Sequence, residues 1–274
     1  MLCQVMGVSS SGYYAWKNRE PKPIDINEFR LARRARAIFE ESRNSLGSRQ
    51  LMQQLREEGF NVGRYKVRNL MKRLGLVVNQ RRAYKATTIR KHHHSVADNL
   101  VNQEFDVESP NQVWAGDVTY LKTREGWVYL AIVMDLYSRK VVGFAMSKRM
   151  KTSLVIDAMK MAVRQRMPRI GLIFHSDRGS QYTAKEFRRY LKSIGTISSM
   201  SGRGACWDNA VVERFFGSLK HEWLSDIIYL NREAMVNDVK KYMRYYNYTR
   251  LHTSNGNMSP VKFESSQMKV SVAA

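Results

Sequence analysis

Three stretches rich in Val, Ile, Tyr, Trp and Phe, at residues 112–122, 127–136 and 140–147, follow one another with only Arg124-Glu125-Gly126 and Ser138-Arg139 as turns. Runs of this composition read as strands, and connections this short leave only antiparallel neighbours. The pattern then changes. Residues 153–166 carry a helical pattern, and Gly171 to Phe174 (GLIF) is a short apolar strand ending at His175-Ser176-Asp177. A helix over about 183–194, a short strand near 196–200 and a further helix follow. A meander that gives way to alternating helix and strand is the layer order of an α/β fold, a mixed five-stranded sheet flanked by helices.

The front of the chain is different. Residues 27–42 place Phe29, Ala32, Ala35, Ile38 and Phe39 at helical spacing, with Asn27 as the cap. Ser48 caps a second helix to about Glu58 with Leu51, Met52 and Leu55 on one face, and Gly59 ends it. A third, near 63–74, packs Val67, Leu70, Met71 and Leu74 and exposes Arg64, Lys66, Arg68, Lys72 and Arg73. Two short helices joined by a turn, the second rich in cations, form a helix-turn-helix pattern suited to the major groove. Arg49, Arg64, Lys66 and Arg68 are its candidate DNA contacts; a three-helix bundle with merely solvated charges is the alternative. Gly7 to Trp16 looks like a fragment of another such unit. The expected division is a partial helix-turn-helix-like segment at 1–20, an all-α helix-turn-helix domain at 27–75, a basic linker at 76–110, an α/β core at 111–225 and a C-terminal helical extension at 226–274.

The 274 residues carry a net charge of +22, and residues 1–100 hold 20 Lys and Arg against 8 acids. An excess of this size points to nucleic acid as partner. A membrane fits less well, because no run approaches ~18 apolar residues and the start lacks the zones of a signal peptide. Cys3 and Cys206 are too few for a disulfide framework or a structural zinc site. His92, His93 and His94 diverge in direction within a basic stretch and read as solvated linker.

Three acids stand in positions where carboxylates need a reason. Asp117 interrupts a strand otherwise built for burial (VWAGDVTYL), where a charge is costly unless paired or metal-bound. Asp177 ends the fourth strand, at the edge where open α/β sheets bind ligands. With strand one beside strand four, the two come within ~5 Å of backbone spacing. Glu213 lies in the second turn of a helix expected to start near Asp208, and Asn209, a candidate DNA contact, and Lys220 share its face. Carboxylate oxygens suit Mg²⁺ or Mn²⁺, and two such ions serve phosphodiester chemistry. Taken singly, each acid has an ordinary explanation: a buried hydrogen-bonding acid, a turn residue, a solvated helix position. Asp135 also ends a strand, but Leu136-Tyr137-Ser138-Arg139 follows as a turn that its side chain would cap.

The segments VWAGDVTYL, DLYSRKVVGF, HSDRGSQYT, SGRGACWDNAVVERFFGSLKHE and YNYTRLHTSNGNMSPVKFE resemble the DDE transposases of bacterial insertion sequences encoded in two overlapping reading frames. The chain looks like the second-frame product, and the resemblance runs from about residue 3 to 264. It implies a ribonuclease H-like core shared with retroviral integrases and a metal-binding triad of Asp117, Asp177 and Glu213. It also implies that Lys220 touches element-end DNA, that a 3′-OH freed at one end is transferred to another phosphodiester, and that the first transfer joins the two ends into a circle. Asn255 and Asn257 stand where relatives usually carry Leu and an aromatic residue.

Around this core, Gly202 and Gly204 free a loop in which Arg203 is a candidate phosphate contact. Trp207 is placed to stack on an unpaired base or to pack. Tyr242, Tyr245, Tyr246 and Tyr248 have the spacing of a packed helix face rather than of a tyrosine nucleophile, and Arg250 and His252 read as structural. Because two DNA ends must be held, at least a homodimer is expected on DNA. An upstream-frame segment fused to or partnered with the chain, and a location in the bacterial cytoplasm with the nucleoid, complete the reading. Its rivals are a structure-selective nuclease on the same fold and a non-catalytic DNA-binding repressor.

Overall fold

The computed structural model describes residues 2–19, 25–79, 97–101, 107–202, 209–225 and 227–273. Arg203, Trp207, Asp208, His92, His93 and His94 lie outside them. The chain divides into two compact units, Met1–Glu41 with Gly47–Val77, and Ser42–Leu46 with Val78–Ala274.

The smaller unit is all helix: α1 (Leu2–Val5), α2 (Ser10–Lys17), α3 (Ile26–Glu41), α4 (Ser48–Glu57) and α5 (Arg64–Leu74). Its core is Leu31, Ala35, Ile38 and Phe39 of α3, Leu51 and Leu55 of α4, and Val67, Leu70 and Met71 of α5. Two expectations need correction. Asp25, not Asn27, caps α3, its Oδ1 accepting the N–H groups of Asn27 at 2.9 Å and Glu28 at 3.3 Å. Leu31, four residues before Ala35 and seven before Ile38, takes the core position, and Phe29, off that stripe, is 61% exposed. Gly47 rather than Ser48 is the N-cap residue of α4, so Ser48 is its first helical residue. Gly75 ends α5 in the left-handed conformation, at φ 67°. Among the described residues, α2 buries none, although Ser9 caps it at Gly12 N–H.

The larger unit holds the sheet: β1 (Val113–Thr123), β2 (Gly126–Asp135), β3 (Lys140–Ser147), β4 (Ile173–Ser176) and β5 (Ile197–Met200). The order is β3-β2-β1-β4-β5, antiparallel across the first three strands and parallel from β1 to β4 to β5. This is the mixed five-stranded sheet that the residue pattern predicts. β4 begins two residues later than expected because Gly171, at φ 98°, belongs to the preceding turn.

On one face α6 (Thr152–Arg166) and α8 (Lys185–Ser193) bury Trp114, Val133, Val142, Met159, Phe174, Phe187 and Leu191. A short helix, α7 (Ser180–Thr183), precedes α8. On the other face α9 (Ala210–Ser218) and α10 (Arg232–Tyr248) bury Leu130, Ile132, Phe215, Val239 and Tyr242. Tyr242, Tyr245 and Tyr246 pack among Phe215 and Trp223, as their spacing predicts, while Tyr248 is exposed. Asn255 lies buried in the turn before α11 (Pro260–Ala273), its Nδ2 donating to the Ser138 carbonyl at 2.7 Å. The amide has a use there that a Leu lacks. The Ser42–Leu46 segment joins this unit through Arg43, which donates to both Asp238 oxygens and to the Trp223 carbonyl.

Candidate active site

The parallel register of β1 and β4 pairs Ala115 with His175 and Gly116 with Ser176. The next residue on each chain is an acid. Asp117, still paired with β2, and Asp177, just past the end of β4, therefore stand side by side, on backbones ~4.8 Å apart. Gly116 makes the approach possible, because a Cβ there would lie 2.5 Å from the Phe174 ring. Asp117 Oδ1 accepts the Val118 N–H at 2.7 Å and Asp177 Oδ1 the Gly179 N–H at 2.9 Å, which orients both carboxylates.

The third acid comes from the helix above. α9 begins at Ala210, so Glu213 stands in its first turn rather than the second. Partial burial, and then the charge of Asp177, holds the Glu213 carboxyl above its usual range. Asn209, the N-cap residue, is buried; its Nδ2 donates to the Gly116 carbonyl at 3.4 Å, and its Oδ1 meets no partner among the described residues.

α9 does not simply continue to Lys220. A π-helical turn, Leu219–Trp223, follows it directly, and Lys220 sits inside that turn. The uniform α-helical face expected for Asn209, Glu213 and Lys220 is thus interrupted, as happens often at functional sites. The Lys220 ammonium lies 5.2 Å from the Tyr120 ring centroid. Burial lowers its pKa, against the opposing pull of Tyr120 and Asp117.

Two residues that sequence reasoning did not single out complete the surroundings. Tyr182 is fully enclosed, and burial, with the charges of Asp117 and Asp177, pushes its phenol well above the usual range. His175 is buried with Nδ1 2.9 Å from Ser199 Oγ and Nε2 3.2 Å from Ser201 Oγ. Leu100 N–H donates to Ser199 Oγ at 2.9 Å, and Ser201 Oγ donates to the Ser176 carbonyl at 3.4 Å. One neutral tautomer, protonated on Nε2, satisfies every direction in this chain of bonds. It clasps the end of β5 to β4 beside Asp177. Both residues lie in HSDRGSQYT, and their position around Asp177 in that motif was the available signal.

The donor set fits a hard divalent cation in kind: three carboxylates, and a buried Asn209 oxygen without a described partner. Among the described residues no three His, Cys, Asp or Glu side chains gather closely enough to hold an ion, so Asp117, Asp177 and Glu213 share one electrostatic neighbourhood without converging on a single point.

Two family models described as integrase core domain match residues 107–206 and 195–260, and one described as HTH-like domain matches residues 27–84. The chain is 39% identical over 271 residues to the transposase InsF for insertion sequence IS3A of Escherichia coli K12, spanning 97% of this chain and 94% of that protein. This chain belongs to the IS3 family of insertion-sequence transposases.

The transposase is also 43% identical over 263 residues to the insertion element IS600 uncharacterized 31 kDa protein of Shigella sonnei, spanning 96% of this chain and 97% of that protein. In a simian T-cell lymphotropic virus intasome, solved by cryo-electron microscopy in complex with PP2A regulatory subunit B56 gamma, one chain matches it with a TM-score of 0.50 at 18% identity. That match covers 80% of this chain and 70% of the other, and shows a shared fold. Membership makes the chain an enzyme of the polynucleotidyl-transferase kind. In the smaller unit of the transposase, Arg49 is exposed on α4, and Arg64, Lys66 and Arg68 are exposed on α5. No helix of the described residues is long and apolar enough to cross a membrane.

Proposed function

We propose that Asp117, Asp177 and Glu213 are the metal-holding catalytic triad with which this transposase cuts DNA at insertion-sequence ends and transfers the freed 3′-OH to a second phosphodiester. The observation that carries this reading is the β1–β4 register, which leaves Asp117 beside Asp177 at the carboxyl end of β4. The Coulombic coupling of Asp177 to Glu213 supports it. Two Mg²⁺ or Mn²⁺ ions bound there would activate the attacking oxygen and stabilise the leaving one.

The chain's own residues do the rest. Asp117 and Asp177, oriented by backbone N–H groups, supply fixed oxygens from the sheet, and Glu213 supplies one from α9. Asn209 ties the start of that helix to the Gly116 carbonyl, so sheet and helix donors keep their spacing. The Lys220 ammonium, held partly out of water, is placed to bind a DNA phosphate near Asp117. Arg203 is assigned a phosphate contact from the preceding loop.

The helical unit also grips DNA, with Arg49, Arg64, Lys66 and Arg68 as contacts, to groove or phosphate. The five proposed regions, 1–20, 27–75, 76–110, 111–225 and 226–274, divide these tasks. Holding two ends at once calls for a homo-oligomer, at least a dimer, on DNA, and an upstream-frame segment is a candidate partner. The setting is the bacterial cytoplasm and its nucleoid.

The test is purified protein with labelled element-end duplex and Mg²⁺ or Mn²⁺, beside Glu213→Gln. Joined strands from the parent and none from the variant are expected. Cleavage without joining converts the reading to a structure-selective nuclease; DNA binding without either converts it to a repressor.

A further inference from the structure

On the β1–β2 hairpin that carries Asp117, two large aromatic side chains stand half in solvent. Tyr120 is 40% and Trp127 43% exposed, and their rings meet edge to face with centroids 5.2 Å apart. Tyr120 follows Asp117 by three residues on β1, where described pairing with β4 has ended at Gly116; Trp127 faces Lys122 across the β1–β2 ladder. Two such side chains left half exposed, with Lys220 at the Tyr120 ring and within reach of the Asp117 charge, call for a ligand.

The pair is rigidly mounted. Arg232 donates to the Glu125 carbonyl at 2.5 Å and the Trp127 carbonyl at 3.3 Å, Arg124 N–H donates to the Tyr229 carbonyl at 2.9 Å, and Thr123 Oγ1 donates to the Gly126 carbonyl at 2.7 Å. A surface already held in place loses little freedom when it binds. Its charge is also selective. Lys220 lies over the Tyr120 ring, Lys122 and Arg124 are exposed beside it, and the one acid of the turn, Glu125, is engaged by Arg232. Aromatic faces interleaved with cations hold unpaired nucleotides, the π surface taking the base and the cation the phosphate.

We propose that Tyr120 and Trp127 form a stacking platform for an unpaired nucleobase of the DNA strand at the active site, with Lys220 taking that nucleotide's phosphate. The proposal rests on the reading of the acids as DNA-processing groups, and adds that the DNA is locally unpaired where they act.

The test uses the full chain and a duplex oligonucleotide with a single-stranded overhang carrying 2-aminopurine, a fluorescent base quenched by stacking. The parent is expected to quench the overhang reporter and not one placed inside the duplex. Trp127→Ala and Tyr120→Leu are each expected to lose the quenching and to weaken overhang binding about tenfold relative to blunt duplex. Trp127→Phe and Tyr120→Phe keep a ring and are expected to retain it. Unchanged quenching in folded Trp127→Ala and Tyr120→Leu proteins overturns the platform. So does a loss shared equally by blunt and overhang DNA. If the truncated variants fail to melt cooperatively, the Phe variants decide: quenching lost from a folded Phe variant also overturns it. Glu213→Gln keeps the two claims apart, since it is expected to join no strands yet quench like the parent. Quenching by a parent that joins nothing leaves the platform and removes the catalytic reading; joining without quenching does the reverse.

Discussion

The sheet carries carboxylates at two places, and the protein treats them differently. At the end of β2, Asp135 is wholly buried, its Oδ1 accepting the Tyr137 N–H and its Oδ2 the Asn111 N–H and Arg166. Glu264 of α11 joins it, held by Arg166, Ser138 and Lys140. Every acid in that cluster has a fixed protein cation. Where the β1–β4 pairing ends, Asp117 and Asp177 are half-buried and oriented by backbone N–H groups, and the cation beside Asp117, Lys220, is shared with an aromatic ring. Acids enclosed with their cations make a structural staple, whereas acids oriented near solvent are open to charge from outside.

The sharpest way to break that contrast is to neutralise one acid of each kind. Asp177→Asn should reduce strand joining by about three orders of magnitude or more while the urea unfolding midpoint stays near the parent's. A large loss of stability without a specific loss of joining would place Asp177 with the staple. Arg166→Met should do the opposite, costing about 3–5 kcal/mol in equilibrium unfolding because buried Asp135 loses the cation beside it and Glu264 keeps only Lys140. Near-parental stability there would deny the staple its role.

Gly116→Ala tests the geometry between the two classes. Its Cβ would press on the Phe174 ring, and overpacking of this kind costs about 1–3 kcal/mol. Joining should fall further than stability alone accounts for, because β1 and β4 must separate where their acids meet; parallel losses in melting and kinetics would count against this.

The smallest effect is in pH. Burial pushes the Glu264 carboxyl up, but hydrogen bonds and charge from Arg166, Ser138 and Lys140 outweigh it and hold the group below its usual range. A depressed folded pKa means stability present above the ordinary carboxylate range and lost as pH falls through the folded value. Asp135, pushed up by burial, contributes with the opposite sign. Thermal midpoints of the parent should decline on acidification below about pH 4, and Glu264→Gln should decline less; identical acid slopes would remove Glu264 from the account.

Much of this was legible in the chain. The strands were, because Val, Ile and aromatic residues alternate or cluster between turn residues, and so was the difference between Asp135, followed by a turn, and Asp177, followed by Arg178-Gly179. Helix phase was less so. Phe29 can be read as the start of an i+3 series through Ala32 to Ala35, but Leu31, four residues before Ala35 and seven before Ile38, lies on the buried stripe and turns inward. The π turn left no mark, since a register shift alters no residue type. His175 and Tyr182 were passed over because a buried histidine or tyrosine is ordinary until the topology places it against an acid.

The π turn has a further consequence. It packs an extra residue into the helix that bears Glu213 before Glu222 and Trp223, and those two are fastened elsewhere, Glu222 to Arg250 at 2.7 Å and Trp223 beneath Arg43. Were one residue deleted between Glu213 and Glu222, the helix would rotate by about 100° on one side of the cut, and either the acid or the anchor would face the wrong way. The helix behaves as two short helices with independent aims, joined by one residue of slack, and its length here is a constraint as strict as the identity of the acid.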